Sequence, residues 1–204
     1  ERPSGLLPNL SAYGRWLAEQ AIDKAQGRPF MLMGHSLGGS VVLHAEAHLR
    51  QLNQPGLTGV VLLAAGGGIY QPRPFRRLRS FGRLILELRP DALGQLPAPI
   101  GELGPFRAER RAARGLLVNS TSRGAVRDLP GLVSDLGVES LWISGDQDQV
   151  MEPGYVRHLA AYSPAHDYRQ IKGCGHLPMQ QKPEILRDML FSWVEDQSLA
   201  RPRS

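Results

Sequence analysis

Residues 34–39 read Gly-His-Ser-Leu-Gly-Gly, between an apolar run at 29–33 and a second apolar-rich segment. The pattern is G-x-S-x-G around Ser36, with glycines two residues before and two after it. A serine on a sharp strand-to-helix bend leaves no room for bulky neighbours, so small residues at minus two and plus two fit such a turn. Held there, its hydroxyl stands out as a nucleophile. The backbone N–H of Leu37, unpaired at a helix start, would face a developing negative charge, which the helix dipole favours. A serine hydroxyl is weak at neutral pH and needs a base. His176, in the glycine-rich IKGCGHLPM, is the candidate. A base of this kind needs an acid to fix its tautomer. The stretch GDQDQVMEP offers Asp148, in G-x-x-D, as first choice and Asp146 as second. Each residue has an ordinary explanation alone: a turn serine, a loop aspartate, a loop histidine. Together they fall in the order Ser36, Asp148, His176, each just after an expected strand.

Those strands and their helices follow from hydrophobic periodicity. Residues 10–26 predict an amphipathic helix through Leu10, Tyr13, Leu17 and Ile22, stopped by Gly27. Strands are expected at 30–33, 57–65, 136–144 and 168–171, and helices at 39–49 and 183–194, the last with Pro183 in its first turn. Strands alternating with helices predict a parallel α/β sheet. Between 67 and 126 the rhythm breaks. This segment is rich in Pro, Gly and Arg. Its Phe75, Leu78, Phe81, Ile85 and Leu88 lie near helical spacing, with Arg76, Arg77, Arg79 and Arg83 largely off that stripe.

The totals narrow the classes. A chain of 204 residues suffices for one sizeable domain, or a core plus an insertion. No run approaches the roughly 20 apolar residues that span a bilayer. The single cysteine, Cys174, makes no internal disulfide and suits a reducing, cytoplasmic setting. A net charge of +5 allows an anionic partner. The arginines of the 67–126 segment have three readings: a solvated face, docking on an anionic membrane surface, or recognition of an anionic substrate or protein. Nucleic acid fits poorly, because no aromatic platform accompanies the arginines.

With these residues in view, the chain resembles the α/β-hydrolase fold family. GHSLGG, the GDQD stretch and GCGH carry the likeness, which runs over nearly the whole chain. The resemblance implies a mostly parallel sheet flanked by helices. Residues 1–66 and 127–204 would form a partial core, and 67–126 a helical cap inserted between core strands that shapes the substrate pocket. It implies a serine hydrolase acting on an ester or thioester, with a lipophilic substrate, no cofactor and no metal. Ser36 would be the nucleophile, His176 the general acid and base, Asp148 the orienter, and Leu37 N–H one oxyanion donor. Serine at the elbow argues against the dehalogenase and epoxide-hydrolase branches, which carry Asp there. Acyl transfer by the same triad, or a binding protein that kept the fold without turnover, are the alternatives.

One departure stands out. Family members carry several strands before the helix at 10–26, and an early loop that supplies a second oxyanion donor. Here that donor would lie upstream of Glu1. The expectation is therefore a natural protein longer at its N-terminus, and a 204-residue chain that is unstable, inactive or both. The strand at 30–33 would expose an unpaired apolar edge. Loss of one oxyanion donor costs about 3–4 kcal/mol of transition-state stabilisation.

Other chemistry-bearing residues have plainer readings. His44 and His48 stand at i, i+4, but HAEAH is not H-E-x-x-H and offers no third ligand. His35 is expected to pack and hydrogen-bond within the elbow. Cys174 reads as a small buried thiol. Gly66-Gly67-Gly68 does not make a dinucleotide-binding G-x-G-x-x-G.

Overall fold

The computed structural model describes residues 9–66, 115–116, 118–120 and 122–200. Helix α1 (Leu10–Ala25) opens on Asn9, whose side chain accepts from Ala12 N–H at 2.8 Å. It closes on Gln26 in the left-handed region, with Gly27 next. Strand β1 (Phe30–His35) turns into α2 (Leu37–Gln51), which leads to β2 (Leu57–Leu63). After the long excursion that follows, α3 (Arg123–Ser134) leads to β3 (Glu139–Gly145) and then α4 (Pro153–Ala160). Strand β4 (His166–Ile171), the short α5 (Pro178–Gln181) and α6 (Pro183–Ala200) complete the order.

The four strands form one parallel sheet in the order β1-β2-β3-β4. A parallel sheet needs cover on both faces, and the residues of β2 and β3 supply it by alternation. Val60, Leu62 and Trp142 point to one side, among Ala18 of α1, Leu43 and Leu49 of α2, Leu129 and Val133 of α3, and Val156 and Leu159 of α4. Val61, Leu63, Leu141 and Ile143 point to the other, against Leu186 and Trp193 of α6. Each fully buried aliphatic side chain contributes about 1.5–3 kcal/mol. The central strands are the buried ones. At the β1 margin Met33 is 59% exposed, and β1 pairs only with β2 among the described residues. An open groove of about 640 Å³ lies beside it, lined by Trp16, Leu17, Lys24, Phe30 and Met31 among others.

The buried stripe of α1 runs through Leu10, Gly14 and Ala18, with Leu17 and Ile22 only partly covered. The strand expected at 136–144 begins three residues later, at Glu139, and the one expected at 168–171 begins at His166. Of the expected cap at 67–126, residues 67–114, 117 and 121 lie outside the described residues, as does the apolar stripe from Phe75 to Leu88. Helix α3 starts inside that span, at Arg123, capped by Ser122 Oγ accepting from Ala125 N–H at 3.1 Å. No helix among the described residues is long and apolar enough to cross a membrane.

Candidate active site

All three chemistry-bearing residues follow the carboxyl ends of parallel strands, where ligands of open α/β sheets bind. Ser36 sits between β1 and α2 with φ 53° and ψ −121°, a left-handed conformation that side chains rarely adopt. Its N–H donates to Leu63 O of β2 at 2.9 Å, and its carbonyl accepts from Gly39 N–H at 3.0 Å. Close approaches make two neighbouring glycines necessary. A Cβ on Gly34 would collide with the backbone of Gly38, and one on Gly39 with Ala65 Cβ, two residues past the end of β2. A Cβ on Gly38 would meet no described atom within 4 Å. Among the described residues, the close approaches thus fall at positions minus two and plus three. Left-handed backbone at a non-glycine residue costs about 1–3 kcal/mol. Ser36→Gly is accordingly expected to stabilise the fold by about 1 kcal/mol in urea denaturation, after allowing for glycine's greater unfolded-state freedom.

Asp148 lies past β3, in the turn before α4, and its side chain is fully buried. Burying a carboxylate requires compensating donors. Its Oδ1 accepts from Val150 N–H and Met151 N–H, both at 2.8 Å. Its Oδ2 accepts from His176 Nδ1 at 2.9 Å. His176 follows β4, with 19% of its side chain exposed. A proton on Nδ1, facing Asp148, leaves Nε2 bare, 3.0 Å from Ser36 Oγ, which donates to it. The structure thus joins Ser36, His176 and Asp148 in one hydrogen-bonded series. Leu37 opens α2, so its N–H has no intrahelical acceptor. Asp146, the second-choice acid, is exposed and accepts from Cys174 N–H at 3.2 Å, away from the imidazole.

Neighbouring groups frame the series. His35 Nε2 donates to the His176 carbonyl at 2.7 Å, and the two rings stand 4.9 Å apart, tilted by 48°. Burial lowers the His35 imidazole pKa, against a smaller upward pull from that hydrogen bond. Cys174 is wholly buried, and desolvation raises its thiol pKa, which keeps it protonated and inert. Gln181, at the end of α5, accepts from Gly175 N–H at 2.6 Å and so holds the loop before His176. Nothing in the sequence pattern marks Gln181 for that task. His44 is pushed toward neutrality by burial, and among the described residues no group of three or more His, Cys, Asp or Glu gathers to hold a metal.

Known proteins share this architecture. The model of the alpha/beta hydrolase family matches residues 2–189. A pimeloyl-[acyl-carrier protein] methyl ester esterase of Xanthomonas axonopodis pv. citri is 31% identical over 186 residues, covering 81% of this chain and 71% of that relative. Its namesake from Stenotrophomonas maltophilia is 30% identical over 171 residues, covering 74% and 63%. Among solved structures, an esterase from Exiguobacterium antarcticum superposes with TM-score 0.73 at 15% identity, over 93% of this chain and 75% of the other. A bromoperoxidase from Bacillus anthracis does so with TM-score 0.75 at 13% identity, over 95% and 77%. At such identities the structural matches speak to fold. The family match over most of the chain goes further: this protein belongs to the alpha/beta hydrolase family.

Proposed function

We propose that this chain hydrolyses carboxylic esters through a covalent intermediate on Ser36. The observation that carries the reading is the series of hydrogen bonds from Asp148 Oδ2 to His176 Nδ1 at 2.9 Å and from His176 Nε2 to Ser36 Oγ at 3.0 Å. In the first half-reaction Ser36 Oγ bonds to the ester carbonyl carbon while its proton passes to His176 Nε2. Asp148 stabilises the imidazolium through Nδ1–H. The carbonyl oxygen, now anionic, is met by Leu37 N–H at the start of α2, and one such donor accounts for about 10²–10³ in rate. Collapse breaks the carbonyl–alkoxy bond, and the leaving alcohol takes the proton from Nε2. Water then repeats the sequence on the acyl-enzyme, giving the carboxylic acid and restoring Ser36.

The relatives' names support a narrower substrate: the methyl ester of an acyl chain borne on an acyl-carrier protein. We take an ester of a small alcohol on such a carried or free acyl chain as the substrate class, with residues 67–126 as the cap that shapes its pocket. Fluorophosphonate labelling read by intact mass tests the reading. One adduct on the wild-type chain, absent in Ser36→Ala, is the expected result. A folded wild-type protein that takes up no label would overturn it.

A further inference from the structure

The loop from Lys172 to Leu177, which carries His176, is pinned at successive peptide groups. Cys174 N–H donates to Asp146 Oδ1 at 3.2 Å, and Cys174 O accepts from Gln147 N–H at 2.8 Å. Gly175 N–H donates to Gln181 Oε1 at 2.6 Å. Gly145, at the end of β3, has so little clearance that an added Cβ would collide with Cys174 O. All these anchors come from the turn after β3 or from α5. They fix His176 relative to Asp148. None of them reaches β1, two strands away from β3 in the sheet.

The fourth anchor does. His35 is the last residue of β1 and is bonded directly to Ser36. A carbonyl oxygen only accepts, so the 2.7 Å contact to His176 O requires a proton on His35 Nε2. Burial keeps this imidazole neutral near pH 7, which makes Nε2–H its tautomer. We propose that His35 is a positioning residue: its Nε2–H clamps the His176 backbone to the nucleophile strand and so sets the gap between His176 Nε2 and Ser36 Oγ. The proposal rests on the assignment of Ser36 and His176 given above. Its physical scale is that of reacting groups in general, where a misplacement of about 1 Å costs on the order of 10² in rate.

Two variants separate the hydrogen bond from the ring contact. His35→Phe keeps an aromatic ring against His176 but has no donor. His35→Gln loses the ring and keeps an N–H donor. With a p-nitrophenyl ester, His35→Phe is expected to lower kcat about 10²-fold with KM held within about twofold, and His35→Gln to recover most of that loss. Should His35→Phe not fold, His35→Leu takes its place as the non-donor. Equal activity of the donor and non-donor variants, or an unchanged kcat in the non-donor, would overturn the proposal. A second readout needs no turnover. The low-field proton resonance of His176 Nδ1–H is expected to persist in His35→Gln and to broaden or vanish in the non-donor, and its persistence in both would also overturn the clamp. If the wild-type chain takes no fluorophosphonate, the hydrolase reading fails, while the resonance still decides whether His35 places His176.

Discussion

Asp148→Asn is expected to lower kcat on the order of 10⁴-fold while leaving the fold intact. The asymmetry of the two carboxylate oxygens explains why. Oδ1 is committed to Val150 N–H and Met151 N–H at 2.8 Å each, and only an acceptor fits there. In the variant the amide oxygen must therefore take that place, which turns the NH₂ group toward His176 Nδ1. A donor facing Nδ1 forces the imidazole proton onto Nε2, and Nε2 can then no longer accept the proton of Ser36. The turn before α4 keeps both its hydrogen bonds, so the melting temperature should move by only a few degrees. Steady-state kinetics with a p-nitrophenyl ester, alongside thermal denaturation, checks both halves. A loss of less than tenfold would mean that Asp148 does not set the tautomer. Asp146 would not inherit the role, since it is exposed and bonded to Cys174 N–H.

Trp142→Ala is expected to lower the unfolding free energy by about 3–5 kcal/mol. Trp142 lies in the middle of β3, wholly buried, and heads the buried side chains by size. It packs in the layer formed by α2, α3 and α4, and its Nε1–H donates to Ser140 Oγ at 2.9 Å. Truncation opens a cavity and leaves the Ser140 hydroxyl without that donor in a dry setting, and the two costs add. Against a total stability of about 5–15 kcal/mol, the loss is a large fraction. Urea denaturation followed by circular dichroism would show the midpoint falling with little change in slope. A shift equivalent to less than about 1 kcal/mol would mean that the surrounding layer collapses into the gap.

The parts legible in the sequence are those where one local rule acts alone. The apolar runs of β2 and β3 announce central parallel strands because both faces are buried, and both do lie at the centre of the sheet. His166–Ile171 is a margin strand and mixes His, Asp, Tyr, Arg and Gln, so only its last residues look like a strand. Helix α3 was hidden by its own composition. Gly124, Pro130 and Gly131 read as breakers, yet Leu129 and Val133 are buried in the core, and tertiary packing outweighs the propensity. Helix α4 spans eight residues, too few for periodicity to register. At the site, the motif and the chain order pointed to Ser36, Asp148 and His176. The close approach at Gly39 could not be assigned, because it comes from Ala65, in the loop past β2. The anchors of the His176 loop escaped notice because Gln147 and His35 reach carbonyls far along the chain, and Gln181 folds back from α5 onto Gly175.

The strand order β1-β2-β3-β4 means that each strand docks beside its predecessor in the chain. Most pairing can therefore accumulate stepwise from one end as the chain refolds. The contact between Ser36 and His176 cannot. It closes a separation of 140 residues and joins loops from the two opposite margins of the sheet, which never touch directly. Such long-range closures come late, because loop entropy must be overcome first. On the proposed reading, reactivity at Ser36 would report that the four described strands have assembled. During refolding, helical signal should return before fluorophosphonate reactivity, and a half-folded chain should take up no label.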